Sequence, residues 1–406
     1  VRVLFTTIGS PSHGRAQLPL ARALAAAGHD VLVVTNPTLA PVFAQEDVRV
    51  ATRLSEFTPQ SFASPELVQQ VMGSGQDDAE PLDPMSRIMF HITSGPMARK
   101  LWGEILPVAT EFRPDLILRD GMDLSSCLIA ERLGIPQLPT PSGTSNLIDP
   151  AAVLPGLNAL RREFGLPGQE DPLSVVPHGR VDYVPADFSF ARHLPPSLSY
   201  RQTVSVDRGA VLPRWIARLP TDRPLVLAAL GSALPMLREM LDDAGDAGHE
   251  PPFPMPDPVG TLRSMIEAVA LLEECTVVVA TSGIPADTDG LPPHVHVTDR
   301  VPQPLLLESV DAFLTHGGFN SIRESLRTAT PMAVLPQFGD QMANARRVEE
   351  LGLGRAIGES TTDAITTAVR EALSDPGVRA RTREARLAML ALPEIESAVD
   401  DLHKLV

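Results

Sequence analysis

The chain opens on a short apolar, β-branched run, Val1 to Thr7, which leads into a polar turn from Gly9 to Gly14. From Gln17 to Ala27, Leu18, Leu20, Ala21, Leu24 and Ala25 recur at helical spacing. Gly28-His29 reads as a helix stop, and Asp30 to Thr35 returns as a second apolar strand. Strand, helix and strand, with the strands continuously apolar, predict a parallel sheet covered on both faces. The unit recurs at Asp115-Leu-Ile-Leu-Arg, followed by a helix from Leu124 to Leu133 closed by Gly134-Ile135-Pro136. Phe57 to Gly103 is less regular. It carries Met72, Met85, Met89, Phe90 and Met97, interrupted by an acidic, glycine-containing run from Gly73 to Pro84. These residues read either as core helices joined by a surface loop or as a soft apolar wall for a bulky ligand, since methionine adapts to irregular shapes.

A second α/β half begins near Arg223-Pro224. Strands are predicted at Leu225 to Leu230, Thr276 to Ala280, Val295 to Thr298, Asp311 to Thr315 and Met332 to Leu335, alternating with helices such as Val259 to Leu272 and Phe319 to Arg327. Ser205 to Pro224 is the expected junction, and Asp242 to Pro258 an expected long loop. The pattern predicts an α/β chain of two doubly wound, Rossmann-like domains facing a cleft, residues 1–210 and 211–390, followed by a terminal helix within 391–406.

Composition narrows the function. The chain has 406 residues, 43% hydrophobic and 21% charged, enough for a sizeable core. No run approaches the ~18 apolar residues of a membrane span, and no signal peptide is visible. A net charge of −16 disfavours a general binder of nucleic acid or of a membrane surface, while a local pocket can still take a small anion. Cys127 and Cys275 are far apart and without metal spacing, which fits a reducing cytoplasm. The basic residues include only two lysines, Lys100 and Lys404, a bias that fits a GC-rich, actinobacterial-type gene.

In open parallel sheets, ligands bind outside the carboxyl ends of the strands. The first such turn, Gly9-Ser-Pro-Ser-His13-Gly14, matches neither G-x-G-x-x-G nor the P-loop, and the second strand ends Val34-Thr35-Asn36 without a ribose-binding carboxylate. A nicotinamide oxidoreductase is therefore disfavoured. The second turn is Thr315-His316-Gly317-Gly318-Phe319-Asn320-Ser321. Its glycines allow close approach, and the helix that follows offers unpaired N–H groups and a positive dipole end, suited to a diphosphate. Asn320 or Ser321 could cap this helix or donate to phosphate, and His316 adds a donor and, if protonated, a charge. The same residues also describe an ordinary capped helix after a glycine turn.

Three segments occur in order: Val301-Pro302-Gln303, His316-Gly-Gly-Phe-Asn320-Ser321-Ile-Arg-Glu324 and Pro336-Gln-Phe-Gly-Asp340-Gln341. Together they resemble the donor-binding signature of GT-B glycosyltransferases, and more narrowly of the family-1 nucleotide-sugar enzymes that decorate bacterial natural products. The resemblance extends to the His13 turn and to Gly28-His29-Asp30-Val31. It implies a GT-B fold whose last helix, Glu394 to Lys404, crosses back to the first domain. It also implies His13 as general base and Asp120 as the carboxylate that holds its imidazole. His316, Ser321 and the backbone at Gly317, Gly318 and Asn320 would bind the diphosphate, with Ser232 as a further phosphate or ribose contact. Glu324 would meet the ribose, Asp340 and Gln341 the sugar hydroxyls, and Val301 the nucleobase. Arg300 stands where plant-type relatives place a stacking tryptophan, and the His13 turn reads Ser-His-Gly-Arg-Ala-Gln where many relatives have Gly-His, an apolar residue and proline.

The expected activity is inverting, metal-independent transfer of a sugar from a dTDP- or UDP-sugar to a hydroxyl of a hydrophobic aglycone. No cofactor is expected beyond that co-substrate. Met72, Met85, Met89 and Phe90 are the candidate acceptor wall, and a homodimer is left open. A positioned base of pKa near 7 gains ~10²–10⁴-fold on a weak alcohol nucleophile, and histidine meets that condition with little tuning. Two alternatives share the fold: a nucleotide-sugar epimerase and a non-catalytic auxiliary protein. His294-x-His296 lacks the ligands to complete a metal set, and Asp287-Thr-Asp289 reads as a solvated loop.

Overall fold

In the computed structural model, the described residues are 1–56, 62, 69, 84–203, 207–231 and 257–406. A five-stranded parallel sheet holds β1 (Arg2–Thr6), β2 (Asp30–Thr35), β3 (Arg49–Thr52), β4 (Leu116–Arg119) and β5 (Gln137–Pro139) in the order β3-β2-β1-β4-β5. Around it lie α1 (Pro11–Ala26), α2 (Pro84–Ser94), α3 (Pro96–Phe112), α4 (Ser125–Leu133), α5 (Gly143–Leu147) and α6 (Pro150–Phe164). A short ladder of β6 (Val181–Asp182) and β7 (Leu198–Ser199) follows.

The second sheet has six parallel strands: β8 (Leu225–Ala229), β9 (Thr276–Ala280), β10 (Val295–Thr298), β11 (Ala312–Thr315), β12 (Met332–Val334) and β13 (Gly354–Ala356). Their order is β10-β9-β8-β11-β12-β13. Its helices are α7 (Pro258–Ala270), α8 (Gln303–Leu306), α9 (Phe319–Thr328), α10 (Gln341–Glu350), α11 (Thr362–Ser374) and α12 (Pro376–Leu390), and α13 (Ser397–His403) ends the chain. The expected pair of doubly wound sheets is present.

The apolar strands are explained by packing on both faces. In the first sheet Val3, Phe5, Val33 and Leu118 meet Leu20 and Leu24 of α1, while Leu4, Val34 and Ile117 meet Ile105 of α3 and Ile129 of α4. In the second, Val226, Ala228 and Leu314 pack on Met265 of α7 and Val369 of α11. Leu227 and Phe313 face Leu306 and Ile216 on the other side. Adjacent β1 and β4 pair Leu4 with Ile117, and β8 and β11 pair Leu227 with Phe313.

One boundary differs from expectation in a way that matters for the site. The stretch read as a polar turn through Gly14 is already helix, because α1 starts at Pro11 with extended Ser10 (φ −134°) as its N-cap. Proline is preorganised for the first helical position. His13 is thus held in the first turn of a helix instead of a loop. Of the loop expected over Asp242 to Pro258, only the last two residues are described. Pro258 is the first residue of α7, and the Asp257 carboxylate caps it by accepting from the Gly260 N–H at 2.9 Å.

Two segments tie the halves together. Tyr183 and Tyr200 pack in the first core, whereas Phe188 and Phe190 pack with Phe319, Ile322 and Leu326 of α9. From the chain's end, Ile395, Ala398 and Leu402 join Val3, Phe5 and Leu20 in the first core. Because Leu402 is buried there, Leu402→Ala is expected to lower stability by about 2–5 kcal/mol. Urea unfolding checks this, with the 63% exposed Leu387 as control, where alanine should leave the midpoint nearly unchanged.

Candidate functional site

The two strands flanking the point where strand order reverses in the first sheet are β1 and β4. Just beyond β1 comes His13, and immediately beyond β4 comes Asp120. Asp120 is 1% exposed, and its carboxylate accepts from the N–H of Ile8 (3.3 Å) and of Met122 (3.0 Å). His13 Nδ1 lies 2.9 Å and 3.1 Å from the two carboxylate oxygens. Since a carboxylate can only accept, Nδ1 carries the proton and Nε2 is left basic. Burial alone would lower the His13 pKa. The charge and hydrogen bond of Asp120, with the charge of Asp340, outweigh it and hold the pKa above its ordinary value.

Arg119, the last residue of β4, stiffens this arrangement from behind. It is buried, and its guanidinium donates to Gln137 Oε1 (2.9 Å), to the carbonyls of Asp120 and Gly121 (3.3 Å each) and to the Val175 carbonyl (3.1 Å). The loop that carries Asp120 is therefore tied to β5 and to the segment after α6.

The second sheet repeats the geometry. Its reversal point lies between β8 and β11, followed by Gly231 and His316 respectively. The His316 ring is wedged between glycines. A Cβ on Gly231 would lie 2.4 Å from Cε1, and one on Gly318 would lie 2.4 Å from Nε2. Burial pushes the His316 pKa down to about 4, the Ala229 carbonyl offsetting a lesser part, so the ring is neutral at pH 7. The N-cap of α9 is Gly318, without a side-chain cap, and Asn320 and Ser321 sit inside the first turn. Of the two roles the sequence leaves open for them, capping is therefore not the one they take. The first-turn N–H groups thus have no capping side chain.

Around this turn, Gln303 Nε2 donates to Glu324 Oε2 (2.7 Å) and to Ser321 Oγ (3.1 Å). Burial raises the Glu324 pKa, against the pull of Gln303 and of the Arg15 and Arg323 charges. Asn344 Nδ2 donates to Asp340 Oδ2 (2.7 Å) and to the Gly317 carbonyl (2.9 Å), joining α10 to the glycine turn. Gln341 Oε1 accepts from the N–H of Gln337 (2.9 Å) and Phe338 (3.2 Å), so this side chain closes its own loop.

The two walls touch. Asn320 Nδ2 of α9 donates to the Ser12 carbonyl of α1 at 2.8 Å. Asp340 reaches the start of α5, where a Cβ on Gly143 would lie 1.6 Å from its Oδ2. Asp340 and His13 are close enough for each to shift the other, and burial raises the Asp340 pKa. The structure thus brings together His13, Asp120, Asp340, Asn320 and the α9 turn with His316, Gly317, Gly318, Ser321 and Glu324.

The other candidates have their own surroundings. Arg300 is 81% exposed at the side chain, 3.6 Å from Asp299. Val301 packs at the edge of the cluster around Ile216 and Leu227. Phe90 packs inside a core with Leu124, Leu128 and Leu157, and Met89 lines the cluster beneath the first sheet. Ser232, Met72 and the side chain of Met85 lie outside the described residues. Asp287 accepts from the Asp289 N–H at 3.0 Å in a local turn, and His296 leans on Trp215. Gln303, Asn344, Arg119 and Gly143 complete the site but were not singled out as site residues from sequence. Gln303 alone had a signal, its place beside Val301-Pro302.

The geometry, two Rossmann-like sheets with paired chemistry at facing reversal points, defines a GT-B glycosyltransferase. Residues 22–231 match the N-terminal domain described as erythromycin biosynthesis protein CIII-like, and residues 263–405 match the C-terminal domain of the same description. The chain belongs to this family of glycosyltransferases. It is 25% identical to the aclacinomycin-T 2-deoxy-L-fucose transferase of Streptomyces galilaeus, over 100% of this chain and 96% of that protein. It is also 25% identical to the 10-deoxymethynolide desosaminyltransferase of Streptomyces venezuelae, over 100% and 97%. Spinosyn rhamnosyltransferase complexed with thymidine diphosphate superposes with a TM-score of 0.73 at 22% identity, covering 99% of this chain and 100% of that one.

The buried His316 makes a prediction about pH. Below its ordinary pKa of about 6.5, the unfolded chain takes up a proton that the folded ring refuses until about pH 4. Its contribution to stability is therefore intact above pH 6.5 and falls as pH drops through that window, by up to ~1.4 kcal/mol per pH unit. Urea midpoints at pH 7 and pH 5 should show a smaller acid loss in His316→Gln than in the parent; equal losses would contradict the neutral buried ring.

Proposed function

We propose that the chain transfers a sugar, with inversion, from a thymidine or uridine diphosphate donor to a hydroxyl of a hydrophobic natural-product acceptor. One observation carries this reading: the His13–Asp120 pair faces Asp340 and the open first turn of α9 across the cleft. The thymidine diphosphate in the spinosyn rhamnosyltransferase complex supports a thymidine-linked donor.

In this mechanism the diphosphate sits at the start of α9, where N–H groups and the helix dipole meet its charge. His13 Nε2 takes the proton of the acceptor hydroxyl. The oxygen attacks the anomeric carbon as the bond to the diphosphate oxygen breaks, and a single displacement inverts that centre. The leaving diphosphate gains negative charge where preorganised donors already point, so no metal is needed. Asp120 keeps the proton on Nδ1 and stabilises the imidazolium as it forms. Asp340, on the opposite wall beside His13, is placed to hold a sugar hydroxyl near the reacting carbon.

Among the described residues no helix is long and apolar enough to cross a membrane. The acceptor would enter from the side of the first domain.

His13→Ala should lose ~10²–10⁴-fold in turnover while thymidine diphosphate binds as in the parent. Calorimetry for the nucleotide and product analysis for the glycoside check the two halves. Near-normal turnover would remove His13 as base. A thermal-shift panel of thymidine, uridine and guanosine diphosphates identifies the donor base, because a ligand of the folded state raises Tm. An isomerised sugar from donor alone would favour the epimerase.

A further inference from the structure

Helix α9 carries a buried cation that the chemistry above does not use. Arg323 is 2% exposed. Its guanidinium carbon lies 4.9 Å from the centre of the Tyr183 ring and 5.3 Å from that of Phe319. Tyr183 belongs to the linking segment, and its hydroxyl donates to the Ala16 carbonyl of α1 at 3.0 Å. Arg323 Nη2 donates to Asn320 Oδ1. Among the described residues its Nε and Nη1 have no hydrogen-bond partner, and no carboxylate forms an ion pair with it. Asp182 and Glu324 are near enough only to favour its charge.

A cation buried without a paired anion is costly. A ligand of its own does not account for it. The neighbouring cavity, lined by Arg15, Tyr183, Gln202, Asn320 and Glu324, has a volume of about 10 Å³, room for nothing larger than water. What Arg323 does achieve is to orient an amide. The two ends of an asparagine amide are alike in shape and opposite in hydrogen bonding. With Oδ1 held by a guanidinium, Nδ2 must point the other way, where it meets the Ser12 carbonyl of the opposite wall. Ser12 is the neighbour of His13.

We propose that Arg323 is a positioning residue: by fixing the Asn320 amide it clamps the first turn of α9 to the first turn of α1, and so sets the distance between the diphosphate grip and the His13 imidazole. The inference rests on His13 being the base. It has a consequence that a purely structural role would not have. The acidic groups acting on His13 are Asp120, from its own domain, and Asp340, from the other. Only the second depends on the clamp. Releasing the clamp withdraws Asp340 and lets the His13 pKa fall towards its ordinary value.

The test compares the parent, Arg323→Met, Arg323→Lys and His13→Ala. Methionine keeps the apolar stem and removes the donor. Lysine keeps a donor and a charge without the planar fork. In Arg323→Met, kcat should fall roughly 10- to 100-fold, with the thymidine diphosphate Kd changed by less than about threefold. The acid limb of its kcat–pH profile should move to lower pH. Arg323→Lys should lie between Arg323→Met and the parent, and it carries the test if circular dichroism shows the methionine variant unfolded. An unchanged kcat in a folded variant, a kcat loss matched by nucleotide affinity, or an unmoved acid limb would each overturn the clamp. Near-parent turnover in His13→Ala would instead remove the base assignment on which it rests.

Discussion

An imidazole can accept a proton at one nitrogen only if its own proton is held on the other, and the Asp120 carboxylate imposes that condition here. The groups packed around Asp120 hold its carboxylate still. Two backbone N–H groups point at it, and Arg119 grips the carbonyls of its loop. Backbone donors satisfy the oxygens of the buried carboxylate. His13 is fixed from its own side by the opening turn of α1, so neither partner of the pair sits on a loose loop. A site built on helix and strand ends is held more tightly than one built on loops.

The second constraint is topological. A doubly wound sheet has one place where neighbouring strands send their connections to opposite faces, and a crevice opens there. Both sheets place their polar groups at that point, after β1 and β4 in one and after β8 and β11 in the other. Bringing the crevices together requires backbones to approach closely, which is why glycines concentrate there. Gly143 leaves space for the Asp340 carboxylate, and Gly231 and Gly318 leave space for the His316 ring. A methyl group at any of these three positions would collide with a polar side chain of the site.

What could be read from sequence follows from these distances along the chain. The α9 turn and Asp340 could be singled out because the pattern that carries them is local and ordered. The parallel sheets were legible because strands buried on both faces are continuously apolar. The helical setting of His13 is not visible in the periodicity, because the apolar face of α1 begins only near Gln17, whereas the helix starts at Pro11, more than a turn earlier. Arg119, Gly143 and Arg323 were silent because the contacts that matter reach far along the chain: Arg119 to Val175, Gly143 to Asp340, and Arg323, through the Asn320 amide, to Ser12. No periodicity or spacing records such pairings. Phe90 and Met89 show the converse, an apolar stretch compatible with a ligand wall whose placed side chains pack in cores.

The electrostatics of the cleft resolve an apparent conflict between a chain of net charge −16 and an anionic donor. At short range the bulk charge is screened beyond ~8–10 Å, and local donors decide. Those donors are mostly neutral: open N–H groups at the start of α9 and a His316 ring that burial keeps uncharged. Neutral dipoles cost less to bury than a cation would, yet they become effective once a diphosphate excludes water. Of the buried cations near the site, Arg119 braces the Asp120 loop from behind, and Arg323 is set back along α9 and directed at an amide. Under the proposed mechanism this division is useful. Dipoles meet the charge that grows on the leaving diphosphate, while Arg323 holds the two walls at the separation that the transfer requires.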